Sequence, residues 1–507
     1  MNRTKSIFLL ILSLGIFLRF YDLQGESLQG VEYQMPRIVS CYNFVEKVEN
    51  FPKEKYPVYT SILKNIISWA YIHPPVYYYC CRLIKFAMDN DATYRIPSTL
   101  GGVFSIIFIY LLGTALFGSG AGLLASFLFT ISPFNIYYSQ YAHSYGLLTF
   151  FCLAAMYFFI SWLKTNKKIY WFLMLIFNIL SIYTHVLAYF IILAQIIYFL
   201  HFRKAYAGHK KLFIFASGLL FLAWLFWVPV LIDNFRSGQA CEPQPETGLP
   251  LLAHLARFIV YFSWGYSWHN FGSPILKSAL MSGLLLFMGI LLFFFPLLYS
   301  LRSIKKNKKQ IWFLLYYLAL VFLCHLIFLK NMGRFRVEYM SYLLPAFICL
   351  VTKGLLDLPK KIRIIFISLI TFFSILSLNN YYRPYIFVPF KQAARFIENK
   401  EGAKGIIFIT NQESIPYYYK GKYLIYTLVD LDINQTISKH PGYDDIWFVF
   451  YINPGDPLPP LLIQEMRLNN DYSEMETTSF PERTINNTSL ALYRFIKKNR
   501  VQPGGIK

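Results

Sequence analysis

Long apolar runs dominate this sequence and constrain its fold more than any other feature. A short basic amino terminus is followed by an apolar run over residues 6–20, and further runs of about 20 residues continue to residue 379. A helix of about 20 apolar residues is long enough to cross a bilayer. The sequence therefore predicts a polytopic α-helical membrane protein with about eleven transmembrane helices. The later runs lie near residues 98–117, 119–135, 142–163, 169–184, 186–202, 212–232, 276–300, 311–329, 339–356 and 362–379.

The first apolar run is predicted to be a membrane span and not a signal peptide, because no A-x-A-like cleavage site follows it. Arg19 lies near the outer end of this run, and we expect its side chain to extend to the membrane interface. The composition agrees with a chain that faces lipid, since 56% of the residues are hydrophobic and only 15% are charged.

The positions of the basic residues predict the orientation of the spans. The formal net charge is +22, which by itself is compatible with nucleic-acid binding. Much of the excess falls in four alternate connections, however, as the positive-inside rule requires of cytoplasmic loops. We therefore expect a lipid bilayer as partner and no nucleic acid. The basic residues of these loops are Lys164, Lys167 and Lys168; Arg203, Lys204, Lys210 and Lys211; Arg302, Lys305, Lys306, Lys308 and Lys309; and Lys360, Lys361 and Arg363.

The chain changes character near residue 382, where mixed polar and apolar sequence replaces the long apolar runs. Residues 405–410, 423–428, 446–451 and 490–495 have the pattern of β-strands. An amphipathic helix over residues 391–399 is predicted to precede them. We thus predict a transmembrane domain over residues 1–381, with a first outer loop at 21–97, and a small α/β domain over 382–507. An odd number of spans from a cytoplasmic start places the second domain outside the cytoplasm.

The seven cysteines suggest neither a redox motif nor a metal site, because they form no C-x-x-C pair and no Cys/His metal spacing. A bridge between Cys41 and Cys80 or Cys81 is an alternative that the sequence does not favour.

Several polar motifs converge on the predicted outer face, which suggests a site there. Taken together and in order, these motifs resemble those of a known protein family. The chain resembles the GT-C fold glycosyltransferases related to protein O-mannosyltransferases and aminoarabinose transferases, and its tail at residues 390–397 is similar to that of bacterial members. The runs that carry the resemblance are His73-Pro74-Pro75-Val76-Tyr77-Tyr78, Arg95-Ile96-Pro97-Ser98, Ser132-Pro133-Phe134-Asn135-Ile136-Tyr137-Tyr138-Ser139-Gln140 and Tyr183-Thr184-His185.

The resemblance implies transfer of a sugar from a polyprenyl-phosphate donor to a hydroxyl of a glycan, lipid or protein acceptor, with inversion at the anomeric carbon. It also implies a multi-pass protein of the inner or plasma membrane that acts on the outer face. Such chemistry needs a carboxylate to take the acceptor proton and cationic groups to stabilise the departing phosphate.

Glu32 is the catalytic carboxylate that the resemblance implies. Family members carry an Asp-Glu pair in the first outer loop, and these positions read Val31-Glu32 here. The alternative is that Glu32 is a solvated loop acid. No metal ligands are assigned, and a divalent ion is left as a possible cofactor, since Glu32 alone would supply few of the oxygen ligands that hard cations need.

Two further departures from the family concern the phosphate. Where the family has Glu-Ala-Arg, this chain has Tyr141-Ala142-His143, and Glu338 stands where an arginine is usual. A histidine can bind phosphate when protonated, and nearby arginines can replace a missing guanidinium. The predicted donor-binding and substrate-binding residues are His73, Gln140, His143, His185, Arg334 and Arg336.

Structural roles are the alternatives for these residues: a helix start for His73, hydrogen-bonded histidines at 143 and 185, and interfacial anchors for the two arginines. Two other functions compete with catalysis. The three departures favour a non-catalytic relative that binds the lipid carrier or a glycan. A transporter or flippase would also have many spans, but its charged groups would lie near the bilayer midplane, where this sequence is apolar.

Overall fold

The structure is a computed structural model, and it divides the chain into two compact units. We call Met1–Leu23 with Ser61–Tyr381 the membrane unit, and Gln24–Thr60 with Tyr382–Lys507 the sheet unit. The first outer loop, assigned from sequence to the transmembrane domain, is thus divided between the two. The structure describes residues 3–28, 30–42, 44–50, 59–69, 73–236, 251–265, 279–323, 337–382, 388–410, 414–428, 431–452, 460–468, 471–481 and 489–498.

The membrane unit consists of helices. Its α-helices are α1 (Arg3–Phe20), α3 (Ile62–Trp69), α4 (Val76–Lys85), α5 (Asp91–Phe117), α6 (Ser119–Thr130), α7 (Pro133–Gln140), α8 (Tyr145–Thr165), α9 (Lys168–Ile182), α10 (Tyr189–His201), α11 (Lys210–Leu225), α12 (Val228–Arg236), α13 (Leu251–Trp264), α14 (Ala279–Gly289), α15 (Phe295–Ser300), α16 (Lys308–Leu315), α17 (Leu344–Asp357) and α18 (Lys360–Tyr381). Short 3₁₀-helices cover Val186–Ala188, Ala207–His209, Leu301–Ser303 and Val337–Leu343, and π-helical turns cover Ile290–Phe294 and Tyr316–Leu320.

Six helical segments in the described part of the chain are long and apolar enough to cross a bilayer, or seven if the bent pair α6 and α7 is one span. The predicted count of about eleven is therefore not confirmed. Two of the expected spans are the shorter apolar helices Lys168–Ile182 and Val186–His201. At 1.5 Å per residue, a helix of this length covers roughly 23 Å, less than the roughly 30 Å of a hydrocarbon core. The six segments are Asp91–Phe117, Tyr145–Thr165, Ala207–Leu225, Gly283–Ser303, Val337–Asp357 and Lys360–Tyr381.

Burial in the membrane unit follows the pattern of a bundle in lipid. α8 is buried along most of its length, whereas large apolar side chains on peripheral helices are exposed, among them Leu10 (72%) and Phe226 (80%). Exposed apolar side chains of this size are stable in hydrocarbon and costly in water. The protein is a multi-pass membrane protein.

The sheet unit is built on a five-stranded sheet with strand order β2-β1-β3-β5-β4. β1 pairs in parallel with β2 and β3, and β5 pairs antiparallel with β3 and β4. The strands are β1 (Gly405–Ile409), β2 (Leu424–Thr427), β3 (Asp445–Ile452), β4 (Tyr472–Pro481) and β5 (Ser489–Lys497). The helices of this unit are α2 (Gln34–Ser40), α19 (Phe390–Glu398), α20 (Ser414–Tyr418), α21 (Ile433–Ser438) and α22 (Leu461–Leu468), with 3₁₀-helices at Gly30–Tyr33 and Phe44–Lys47.

The predicted amphipathic helix is confirmed as α19, whose buried side chains include Ala394 and Ile397. All five cysteines that the structure describes are free thiols: Cys41, Cys80, Cys81, Cys152 and Cys349.

Candidate functional site

Three of the predicted histidines meet in the membrane unit. The ring of His73 lies between the other two, with its centroid 4.8 Å from that of His143 and 5.1 Å from that of His185. His143 and His185 are buried, and His73 is partly exposed. We call these three residues the histidine cluster.

Backbone contacts explain why motifs so far apart in sequence come together. The amide of Val76, directly after the two prolines, donates to the carbonyl of Tyr183 at 3.0 Å, which ties the His73 motif to the His185 motif. The Tyr77 hydroxyl donates to the carbonyl of Tyr94 at 2.6 Å and so fixes α4 against α5. Ser98 on α5 donates in turn to the carbonyl of His143. The motifs are therefore held to one another by hydrogen bonds to main-chain carbonyls and not only by side-chain packing.

A close helix approach supports the same arrangement. A Cβ atom built on Gly146 of α8 would lie 2.5 Å from the carbonyl oxygen of Ser98 on α5, and one on Gly101 would lie 2.6 Å from the carbonyl oxygen of Gly146. Small residues permit such contacts between membrane helices. The histidine cluster thus depends on two glycines that bring α5 and α8 together.

Hydrogen bonds at the ring nitrogens define what the histidines present. His185 Nδ1 accepts from the amide of Leu187 at 3.2 Å and caps the 3₁₀-helix there. An accepting nitrogen carries no proton, so neutral His185 carries its proton on Nε2. His143 Nδ1 lies 3.2 Å from the hydroxyl of Ser144. In both rings the Nδ1 atom therefore has a local hydrogen-bond partner.

Aromatic rings surround the histidine cluster. Tyr145 stacks on His143 at 4.4 Å, and Tyr339 lies 5.6 Å from His185. Tyr77 lies 6.4 Å from His143 on a third element. Tyr339 was not among the predicted site residues, although its position four residues before the Leu343-Leu344-Pro345 run was the available signal.

Gln140 has a structural environment. Its Nε2 donates to the carbonyl oxygens of Leu18, Arg19 and Tyr21 at 3.4, 3.1 and 2.8 Å, and its Oε1 accepts from the Tyr381 hydroxyl at 2.6 Å. These contacts cap the end of α1 and join it to α7 and α18. They support the structural alternative for this residue, while its predicted role in substrate binding stays a prediction.

Arg19 does not extend to the membrane interface, so that expectation is wrong. The residue is fully buried. Its guanidinium donates to the carbonyl oxygens of Gly15, Phe129 and Thr130 at 3.2 to 3.3 Å and to Asn135 Oδ1 at 2.6 Å. Acceptors inside the bundle thus bind Nη1 and Nη2 of the guanidinium where lipid could not.

Glu32 lies in the sheet unit, in the 3₁₀-helix Gly30–Tyr33, and is fully buried. The alternative of a solvated loop acid is therefore wrong. Its segment is anchored on both sides: the Leu28 amide donates to the Tyr418 hydroxyl at 2.6 Å, and the Tyr33 ring packs 6.0 Å from that of Tyr417. A buried carboxylate is costly unless it is hydrogen-bonded or paired with a positive charge, and such groups are common at functional sites.

The predicted cations Arg334 and Arg336 lie outside the described residues. Among the residues that the structure does describe, no group of three or more His, Cys, Asp or Glu side chains is arranged to hold a metal ion.

The sequence around the histidine cluster contains very few acids. No Asp or Glu occurs between Asp91 and Asp233 or between Glu246 and Glu338. A negatively charged group bound to the cluster would thus meet little like-charge repulsion from these segments. Binding of an anion by these imidazoles stays a prediction.

Comparisons with known proteins identify a family model that matches part of the chain. Residues 72–232 match the family model "Dolichyl-phosphate-mannose-protein mannosyltransferase", a range that contains His73, Gln140, His143 and His185. No curated protein sequence matches the chain.

Solved structures share its fold at low sequence identity. ArnT from Cupriavidus metallidurans in the apo state is 9% identical, with a TM-score of 0.59 over 96% of this chain and 98% of that chain. The same protein bound to undecaprenyl phosphate is 10% identical, with a TM-score of 0.56 over all of both chains. The oligosaccharyltransferase AglB from Archaeoglobus fulgidus, in complex with an inhibitory peptide and a dolichol-phosphate, is 12% identical, with a TM-score of 0.50 over 88% of this chain and 69% of that chain. The chain therefore has the GT-C glycosyltransferase fold that its ordered motifs had indicated.

Proposed function

We propose that this protein transfers a sugar from a polyprenyl-phosphate donor to a hydroxyl of a glycan, lipid or protein acceptor, with inversion at the anomeric carbon. The GT-C fold supports a membrane glycosyltransferase. Similar structures with undecaprenyl phosphate and dolichol-phosphate bound support a polyprenyl-phosphate donor.

The observation that carries the proposal is the histidine cluster. His73 and His185 come from two motifs of the resemblance, and His143 stands where the family has an arginine. The centroid of the His73 ring lies 4.8 Å from that of His143 and 5.1 Å from that of His185. The three imidazoles come from separate connections, before α4, before α8 and after α9, which the fold brings together. Donors that stabilise a departing phosphate need to be placed together before the reaction occurs.

The residues then take the following roles. Nε2 of His143 and His185, together with His73, donates to the donor phosphate and stabilises its charge as the sugar leaves. Glu32 takes the proton of the acceptor hydroxyl. Arg334 and Arg336 add positive charge to the phosphate site, as the resemblance implies.

The orientation is inferred from the ends of two helices, α8 and α9. His185 follows α9 and His143 precedes α8, whereas Lys168 begins α9 and Lys164 lies in the last turn of α8. The histidine cluster and the basic loops are therefore at opposite ends of these helices. Since basic loops stay in the cytoplasm, the cluster opens outside it, in the inner or plasma membrane, with the sheet unit on the outer side.

A second function is favoured by one specific position. Val31 stands where related enzymes carry an aspartate, so a non-catalytic protein that binds a lipid carrier is the competing proposal.

Transfer from a panel of polyprenyl-phosphate sugars by the purified protein tests the proposal, beside Glu32→Gln. The matched control is Glu46→Gln, which changes an exposed glutamate of the same unit. Turnover lost in Glu32→Gln alone, with donor binding retained, is the expected result. Unchanged turnover would reject Glu32 as the base. Donor binding without turnover of any sugar would favour the non-catalytic protein, and neither binding nor turnover would reject both.

A further inference from the structure

The four basic loops of the membrane unit form one surface. The Trp171 indole at the start of α9 donates to the carbonyl of Leu212 on α11 at 3.1 Å. Lys309 Nζ lies 4.8 Å from the ring centroid of Tyr206, and Ser303 donates to Asp357 Oδ2 at 2.6 Å. These contacts join residues 164–171, 203–212, 301–309 and 357–363 at the same end of the bundle. We call the Lys and Arg residues of the four loops, as given by the sequence, the basic face.

The charge of the basic face has almost no internal compensation. Its loops hold three, four, five and three basic residues, and the only acid in them is Asp357. Asp357 is already paired with Lys353, a residue of α17 outside the basic face. All members of the basic face except Arg363, which is partly buried, are exposed. A concentrated positive surface of this kind attracts a polyanionic or anionic partner.

A band of exposed apolar side chains borders the basic face. Ile169 and Phe172 lie one to four residues beyond Lys168, and Ile214 and Phe215 lie three to four residues beyond Lys211. Their side chains are 50 to 59% exposed. A partner that fits both features has an anionic head and an apolar tail.

Aromatic residues mark the boundary between the two zones. The His201 ring lies 5.4 Å from that of Trp312, and its Nδ1 is hydrogen-bonded to the Tyr316 hydroxyl at 2.5 Å. Trp and Tyr favour the headgroup level of a bilayer because one end of the ring system is apolar and the other polar. The position of Lys309 over Tyr206 places a cation at the same level.

We propose that the basic face is a binding surface for anionic phospholipids, with headgroups on its lysines and arginines and acyl chains on the apolar band. The segment from Arg302 to Lys309 carries the most basic residues, five, and is the main headgroup contact. Juxtamembrane basic clusters attract anionic lipids through additive electrostatic terms that are screened by salt. The proposal therefore predicts a preference for anionic over zwitterionic headgroups that weakens in high salt.

The test uses purified full-length protein with dioleoyl phosphatidylglycerol, dioleoyl phosphatidylcholine or glycerol 1-phosphate. Native mass spectrometry counts retained lipid, and tryptophan fluorescence gives the Tm. We expect phosphatidylglycerol to be retained and to raise the Tm more than phosphatidylcholine does, with the difference reduced in high salt. The triple variant Lys305→Gln, Lys306→Gln, Lys308→Gln spares Lys309 and should bind phosphatidylglycerol at least about tenfold more weakly.

The control removes the same charge from the other unit through Lys420→Gln, Lys422→Gln and Lys439→Gln, all exposed positions. This variant should retain phosphatidylglycerol as the wild type does. A second variant with arginine at positions 305, 306 and 308 keeps the charge and should also retain it, which separates lost binding from lost folding. Equal retention of both lipids by the wild type, or full retention by the Lys→Gln triple variant, would reject the proposal. If glycerol 1-phosphate raised the Tm as much as phosphatidylglycerol does, the basic face would bind a phosphate group and not a lipid, which would reject the proposal.

Discussion

The buried guanidinium of Arg19 connects α1 to the motif that begins at Ser132. It donates to main-chain carbonyls near the end of α6 and to Asn135 of α7, while Gln140 of α7 donates back to carbonyls at the end of α1. Asn135 and Gln140, both in the run that begins at Ser132, therefore have a structural role: their hydrogen bonds connect α7 to α1. From sequence this could not be seen, because an arginine near the end of an apolar run has the same appearance whether it faces lipid headgroups or the bundle interior.

Replacing Arg19 with leucine should destabilise the membrane unit. The change removes the charged donor from Asn135 Oδ1 and three main-chain carbonyls, and a hydrogen bond to a charged group contributes roughly 1.5–3 kcal/mol. We expect a clear fall in Tm, measured by tryptophan fluorescence in detergent. Arg3→Leu is the matched control, because Arg3 is exposed on the same helix. Equal Tm values for the two variants would contradict the structural role of Arg19.

The histidine cluster should make donor binding depend on pH. An imidazole gains positive charge as pH falls through the neutral range, whereas a sugar phosphodiester keeps one negative charge throughout. The rings that contact the cluster, Tyr77, Tyr145 and Tyr339, are neutral in this range. Binding is therefore expected to be strongest at low pH and to weaken as pH rises.

Titration of donor affinity between about pH 5.5 and 8.5 checks this expectation. His143→Arg supplies the comparison, since an arginine stays charged and should flatten the profile. An affinity that does not change with pH in the wild type, or an identical slope in His143→Arg, would contradict binding of the donor phosphate by the histidine cluster.

At the scale of elements, the contact of α5 with α8 sets the position of His143. Gly146 follows His143 by three residues, and the space for its Cβ is taken by the main chain of Ser98. The sequence contained these glycines inside apolar runs, but periodicity does not show which face of a helix meets which neighbour. Order and type of the helices could be predicted, and their close approaches could not.

Gly146→Ala should lower both Tm and donor binding. A Cβ at 2.5 Å from a backbone oxygen forces the helices apart, and overpacking of this kind costs about 1–3 kcal/mol. The control is Gly218→Ala in α11, where no atom lies within 4 Å of the added Cβ. That substitution should leave both quantities unchanged. If Gly146→Ala behaved like the control, the close approach would not be what positions His143.

The strands of the sheet unit show how much of the secondary structure a local sequence pattern can predict. The four runs predicted in the carboxyl-terminal region are present as β1, β2, β3 and β5. The fifth strand, β4, was missed because it lies at the sheet edge, where Glu474 and Glu476 interrupt the apolar alternation. Edge strands bury less and so have weaker sequence patterns than central ones.

For the whole molecule, the division of the chain into units was the hardest feature to predict. Apolar runs identify segments for the membrane, but residues 24–60 are polar and amphipathic, and their partner is nearly 400 residues away in sequence. Asn50 makes one of the contacts that join residues 24–60 to the sheet. Its side chain donates to the carbonyl of Thr427 and accepts from the amide of the same residue, both at 2.9 Å.

This contact covers an exposed edge. β2 is the last strand of the sheet on its side, and residues 48 and 49 extend the pairing through the Glu49 amide, which donates to the carbonyl of Ile425 at 2.8 Å. An uncovered edge strand would present unpaired main-chain groups to solvent and to other chains. The amino-terminal segment therefore acts as part of the sheet unit although its sequence has no strand pattern.

Asn50→Ala should open this edge selectively. Loss of two hydrogen bonds to one buried residue costs roughly 1–3 kcal/mol, which corresponds to about a fivefold or greater rise in hydrogen exchange where local opening governs it. We expect faster exchange in peptides covering residues 44–50 and 414–428, and unchanged exchange in α8. Asn434→Ala, at an exposed position of α21, should change neither. Unaltered exchange at 414–428 in Asn50→Ala would mean that residues 24–60 only rest against the sheet, and faster exchange in α8 as well would mean that the two units do not unfold separately.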